Sequence, residues 1–367
     1  MPHWIQHPDT LATWWDRKPT RIGMDTEFIR EGTFWPELAL VQIAIEDEIL
    51  LVDPLVPGMT DALGLWLAAP NVIKIMHSAS EDLIAFDLIA FKYACGVLPR
   101  PLFDTQIGAA LTGLGGGMGY QKLVAKVTNV ELGKGETRSD WMHRPLTPAQ
   151  LDYAANDVRY LFVLHDTLTE RLAEMSRSAW LEEDCTRLTD NIEQNENERW
   201  PHLAIRSAQL LDAPAQYRLL RLLRWRETSA RSSNKPRNWI LNNELASILA
   251  RFPPPNLTEL RYQLKKFNKS WDPLATQILE ALQTPLADEA QAPLVTAPSD
   301  ADKALLKQLQ KIVAECSYDL GLPEGILASR RHLEALIEQR RWPNSLGQWR
   351  RSLLETQLQP LLSMSDT

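Results

Sequence analysis

Four carboxylates and one phenol in the first half of this 367-residue chain have types and spacings that could do chemistry. Asp25 and Glu27 stand two apart in Met24-Asp25-Thr26-Glu27-Phe28. Asp82 closes the stretch His77-Ser78-Ala79-Ser80-Glu81-Asp82, and Tyr153 and Asp157 stand four apart in Tyr153-Ala154-Ala155-Asn156-Asp157. On half-buried elements such residues stabilise little, because a buried carboxylate is costly unless it is paired or bound to a metal. Hard divalent cations such as Mg²⁺ and Mn²⁺ prefer oxygen ligands. Together the residues point to metal-assisted hydrolysis of a phosphodiester. Taken singly, each has an ordinary reading. Asp25 and Glu27 could end a strand in solvent or pair with Arg30, Asp82 could favour a first helical turn, and Tyr153 and Asp157 could be a core-edge phenol and a solvated acid.

The elements that must position these groups follow from apolar spacing. Arg21–Ile29, Leu38–Ile45 and Glu48–Val52 read as strands, with Val72–Met76 a fourth and Leu102-Phe103 a short fifth. Residues two apart on a strand share a face, so Asp25 and Glu27 project together while Met24 and Thr26 point away. Glu81–Phe91 has helical spacing, with Ser80 as N-cap and Asp82 near its start. Asp104 is expected to cap a helix from Thr105 to about Leu114, ended by the glycines of Gly113–Gly117. Thr147 and Pro148 open one helix expected to run to Ala173, on which Tyr153 and Asp157 share a face. Three early strands followed by strand–helix alternation indicate an α/β domain with a mixed sheet flanked by helices.

Beyond Trp200 the strand signals stop. The expected organisation is an α/β domain over residues 1–200, a small all-α domain over 206–281, a Pro/Ala/acidic linker over 282–300, and a second small all-α domain over 301–367. The two helical blocks resemble a diverged repeat, Pro236…Trp239-Ile240-Leu241 matching Pro323…Gly325-Ile326-Leu327.

The net charge of −8 is unevenly spread. Residues 1–200 carry 17 Lys/Arg against 30 Asp/Glu, whereas 206–280 carry 13 against 6. An acidic catalytic domain joined to a basic docking domain for nucleic acid fits this split, as do solvated helix faces. The three cysteines are isolated, so neither a zinc knuckle nor a disulfide framework is supported. No apolar run is long enough to span a bilayer, and the N-terminus lacks a secretion pattern. A cytoplasmic protein with no membrane association is expected.

In order and in local sequence, the acidic segments resemble the three exonuclease motifs of the DEDD family, in the subclass with Tyr in the third motif, and bacterial ribonuclease D in particular. Phe103-Asp104-Thr105-Gln106 and Arg138-Ser139-Asp140-Trp141…Arg144-Pro145-Leu146 share the likeness, which is strong over residues 20–175. The resemblance implies a ribonuclease H-like domain and a 3′→5′ exoribonuclease that releases nucleoside 5′-monophosphates. It also implies two divalent ions (Mg²⁺ or Mn²⁺) held by Asp25, Glu27, Asp82 and Asp157, with Tyr153 orienting or deprotonating the attacking water. RNA 3′ ends such as precursor tRNA would be the partner, in tRNA 3′-end maturation, with no obligate protein partner inferred.

Residues 209–281 are similar to an HRDC domain, a module that binds nucleic acid in the family, and 301–367 to a second one. Candidate RNA contacts are Phe28, His77, Lys134 and Arg138 around the site and Arg221, Arg224, Lys235, Arg237, Lys265 and Lys266 in the basic module. Arg144 and Trp141 are weaker candidates. Two alternatives stand beside this reading: a DNA exonuclease, and a catalytically idle nucleic-acid-binding adaptor.

Overall fold

The computed structural model describes residues 1–77, 85–133, 135–136, 139–194, 199–267 and 271–364. The chain divides into two compact units, one of residues 1–29, 36–194 and 300–367 and the other of residues 30–35 and 195–299.

The first unit is built on a six-stranded mixed sheet. Its strands are β1 (His3–Ile5), β2 (Arg21–Ile29), β3 (Glu37–Ile45), β4 (Glu48–Val52), β5 (Ile73–Met76) and β6 (Leu102–Asp104), in the order β1-β4-β3-β2-β5-β6. The pairs β2–β3 and β3–β4 are antiparallel and the others parallel. β3 is apolar almost throughout and buried from Leu38 to Ile45, because helices cover both sheet faces. One face packs Ile22, Met24 and Ile43 against α1 (Pro8–Trp15), α2 (Met59–Ala68) and α3 (Ala85–Cys95). The other packs Leu40, Ala44 and Leu51 under α6 (Pro148–Arg159) and α7 (Leu161–Glu174). Between these lie α4 (Thr105–Leu111) and α5 (Tyr120–Thr128), and α8 (Ser178–Gln194) follows α7. β1 was not expected from its sequence: it is only three residues long and is held in register by β4.

Two helix starts follow their capping chemistry. Asp104 accepts hydrogen bonds from the Gln106 and Ile107 amides, at 2.7 and 3.2 Å. Thr147 and Gln150 form a reciprocal capping box with Pro148 in the first turn. The single helix expected from Thr147 to Ala173 is instead broken at Tyr160, which separates α6 from α7. The Tyr120 hydroxyl causes the break. It donates to the Asn156 carbonyl (3.0 Å) and accepts from the Tyr160 amide (3.1 Å), the two groups that would otherwise bond each other in the helical ladder.

The C-terminal block of α14 (Asp300–Asp319), α15 (Arg330–Gln339) and α16 (Gln348–Met364) lies in the same unit as the sheet. Its Leu309, Leu336 and Trp349 share a core with Leu111, Leu172 and Leu181. Buried Asp184 and Arg350 pair across this contact (Oδ2 to Nη2, 2.8 Å). The glycine run after α4 serves the same contact: Gly113 has φ +73°, and a Cβ there would lie 2.7 Å from the Gly321 carbonyl oxygen.

The second unit packs α9 (Ala213–Ser232), α11 (Asn243–Arg251), α12 (Leu257–Leu264) and α13 (Ala275–Gln283) around Leu219, Leu223, Leu245 and Ile278, with the four-residue α10 (Arg237–Ile240) beside them. The linker segment lies against it: Gln216 bonds both ways with Val295, and His202 Nε2 meets the Pro293 carbonyl.

Tyr120→Phe removes both hydroxyl bonds and leaves a buried donor and acceptor beside Asp157. We expect a loss of about 1–3 kcal/mol in urea unfolding. An unchanged midpoint would show that the hydroxyl does not hold the break.

Candidate active site

β2 and α6 bring together four of the five expected groups. On β2, Met24 and Thr26 are buried on the α3 side, so Asp25 and Glu27 project from the opposite face, toward α6. The first turns of α6 present Tyr153, and one turn later comes Asp157, on the helix face that packs Ala154 and Val158 against the sheet. The Tyr153 phenol and the Asp157 carboxylate stand close enough to shift each other's proton affinity. Its ring rests 6.0 Å from that of Trp141, which is a core residue only 2 % exposed. The loop before α6 lies so close over Tyr153 that a Cβ on Gly135 would fall 1.9 Å from ring carbon Cδ2, so glycine is needed there.

Electrostatics mark these groups as a mutually destabilised set. Burial, and then the charges of Asp157, Asp87 and Glu27, raise the Asp25 carboxyl well above its usual range. Glu27 is pushed up to about 9 by burial and by Asp157 and Asp87. Asp157 rises to about 7 through burial, opposed by the neighbouring Tyr153 hydroxyl. Tyr153 itself is raised, first by burial and then by the carboxylates around it, so it stays protonated at neutral pH.

Among the described residues no group of three or more His, Cys, Asp or Glu side chains is arranged to hold a metal ion. Asp82, the remaining expected carboxylate, lies outside those residues. The donor chemistry fits a hard divalent cation nonetheless, since crowded carboxyl oxygens that repel one another are what such an ion would hold together.

Two further polar residues beside the site lie among core residues of the sequence. Asp87, inside the apolar run of α3, accepts a hydrogen bond from the Thr26 hydroxyl on the far side of β2; burial raises it to about 6. Its one signal is a charge in a stripe of core residues. Gln42 on β3 is fully buried directly across from Asp25, with no partner for either amide atom.

The expected RNA contacts fall in several places. Phe28 packs against the core and lies 6.0 Å from the Phe86 ring. His77 Nδ1 meets Thr105 Oγ1 at 2.9 Å, and burial lowers its pKa to about 4, so it is neutral at physiological pH. Lys134 and Arg138 lie outside the described residues. Arg144 is bound bidentately by Asp53 and by the Ala39 carbonyl, which makes it a scaffold residue.

In the second unit Arg221 is held by Glu289 and Arg224 by Asp288, so both guanidinium groups are engaged by linker carboxylates. Arg237 pairs with Glu227 and lies 4.5 Å over the Phe34 ring. Lys235, Lys265 and Lys266 are exposed, the last over the exposed Tyr262 ring.

Residues 2–173 match the 3′-5′ exonuclease family. The chain is 61 % identical to ribonuclease D of Xanthomonas oryzae pv. oryzae, with both chains covered in full. It is 36 % identical to ribonuclease D of Pseudomonas paraeruginosa over 95 % of this chain and 94 % of that one. Among solved structures it resembles Escherichia coli RNase D, described as an exoribonuclease involved in structured RNA processing. That match has a TM-score of 0.84 and 26 % identity, and covers 99 % of each chain.

Because the native site keeps its carboxyl protons to higher pH than the unfolded chain, the folded state binds more protons above pH ~4, and stability falls as pH rises. The melting temperature of the protein in EDTA should therefore decline from pH 5 toward pH 9, the Asp157 share being lost between about 4 and about 7. Asp157→Asn should flatten that part of the slope. A slope identical to that of the native chain would contradict the assigned crowding.

Proposed function

Since the chain belongs to the ribonuclease D family, we propose that this 3′→5′ exoribonuclease works by a two-cation mechanism on 3′ tails of structured RNA, precursor tRNA among them. The enzyme class and its RNA substrate follow from membership. The observation that best supports the mechanism is the convergence of Asp25, Glu27 and Asp157 with the Tyr153 phenol beside the last of them.

In this reading Asp25 and Glu27 of β2 and Asp157 of α6, together with Asp82, would hold two Mg²⁺ or Mn²⁺ ions. When bound, such cations would supply charge neutralisation at the phosphodiester and a more acidic attacking water. The chain's own residues do the rest. Tyr153, beside Asp157, would orient the attacking water or take its proton. The Asp157 carboxylate and the Trp141 and Gly135 contacts hold the phenol at one place. The products would be nucleoside 5′-monophosphates, removed one at a time.

The second, basic unit would dock the RNA. Its exposed Lys235, Lys265 and Lys266 are better placed for phosphates than Arg221 and Arg224, which the linker carboxylates engage. Exposed Trp239, Phe252 and Tyr262 offer faces on which bases could stack. No described helix is long and apolar enough to cross a membrane, which is compatible with a cytoplasmic place of action.

A 3′-tailed RNA labelled at its 5′ end should shorten stepwise with Mn²⁺ or Mg²⁺ and remain intact in EDTA. Asp25→Asn should abolish shortening while RNA binding stays within a few-fold. Tyr153→Phe should slow it by about 10²-fold without loss of Mn²⁺ binding. Cleavage that persists in Asp25→Asn would remove the metal assignment, and tight RNA binding with no cleavage in either metal would identify an adaptor.

A further inference from the structure

Gln42 is an anomaly in the most buried strand of the sheet. It sits on β3 between Val41 and Ile43, its side chain has no exposure to solvent, and neither Nε2 nor Oε1 finds a hydrogen-bond partner. Burying an unbonded carboxamide is costly in proteins, so leucine or methionine would fold more favourably at this position.

The register shows what the amide faces. Gln42 pairs with Asp25 across β2–β3 and with Leu51 across β3–β4. Directly opposed residues share a face, with Cβ atoms about 4.5–5.5 Å apart in an antiparallel pair. The neighbours of Gln42 on that face are Leu40 and Ala44 along its own strand and Leu51 and Asp25 across, with α6 above. Of these cross-strand and same-strand neighbours only Asp25 is polar. Glu27, diagonal to Gln42 across the pair, is the next acid on the face.

We propose that Gln42 is a positioning residue for the acidic site, its Nε2 donating to the Asp25 carboxylate and fixing that carboxylate's orientation when cations fill the site. The inference rests on the metal-dependent reading above and deepens it. A carboxamide suits the task where a basic group would not. It donates to an anion without adding a positive charge that would repel the cations, and it cannot itself lose a proton at neutral pH. A buried amide with no partner beside the acids of the site matches a group kept there to orient them. Groups that orient metal-ligating side chains from behind typically contribute about 10–100-fold in metal affinity.

The test uses Gln42→Leu and, as a second variant of similar length, Gln42→Met, each in the full chain. Mn²⁺ alone is titrated calorimetrically, and melting is followed in EDTA. We expect Mn²⁺ affinity to fall about tenfold in both, while melting in EDTA stays at or above that of the native chain. Opposite directions for loading and folding are what a merely structural amide would not produce. If Mn²⁺ binds the variants within twofold of the native protein, the proposal is overturned. Melting points that drop in both variants also overturn it, by showing that the amide is bonded in the cation-free fold. A native chain that binds no Mn²⁺ would instead sink the metal-dependent reading, which keeps the two failures distinct.

Discussion

Carboxylates crowded onto one face of a covered sheet repel one another, and much of this fold is arranged to hold them there regardless. Asp25 and Glu27 leave β2 on the side where α6 presents Asp157, and each raises the cost of ionising the others. Nothing within a hydrophobic core would favour such a cluster. The arrangement fits the cation site proposed above, which would gain stability from cations and cost folding stability without them. Placing that cost at a functional site, while the surrounding strands and helices remain regular, is the usual pattern in enzymes.

The scaffold meets the constraint from three directions. The strand is fixed from beneath, where Thr26 bonds Asp87 and Met24 packs into the core of α1, α2 and α3. The helix is fixed at its start by the Thr147–Gln150 capping box and at its end by the Tyr120 hydroxyl, which terminates it three residues after Asp157. The phenol is fixed from the side by Trp141 and by the loop at Gly135. The C-terminal helical block adds a different support. It buries leucines shared with α4, α7 and α8 and forms the Asp184–Arg350 pair. Breaking one partner of a buried pair of this kind costs about 3–5 kcal/mol, so this block belongs energetically to the unit that carries the sheet.

Much of the candidate site's geometry was legible in the sequence because it is local. A two-residue spacing on a strand and a four-residue spacing on a helix place side chains on one face whatever else the chain does. Asp104 and Thr147 were legible as caps for the same reason. What escaped was long-range. The break at Tyr160 depends on a hydroxyl forty residues earlier, and the local pattern across it is uninterrupted helix. β1 is too short to show a period, and Gln42 reads as one polar residue in an apolar strand until β2 is laid beside it. The arginines of α9 looked available for phosphates because the partners that engage them, Asp288 and Glu289, lie over sixty residues away in a segment that reads as linker. The glycines after α4 signalled a turn but not the helical block that needs their missing side chains.

The most direct test of the central claim is the proton balance of cation binding. Mn²⁺ should be titrated at pH 7 in buffers of different ionisation enthalpy. With Asp25 held well above its usual range, Glu27 near 9 and Asp157 near 7 in the cation-free state, loading must displace protons, so the apparent enthalpy should change with the buffer in the sense of net release. An enthalpy independent of buffer would mean that the carboxylates are already ionised in the empty site, and the account of a crowded, cation-dependent cluster would be wrong.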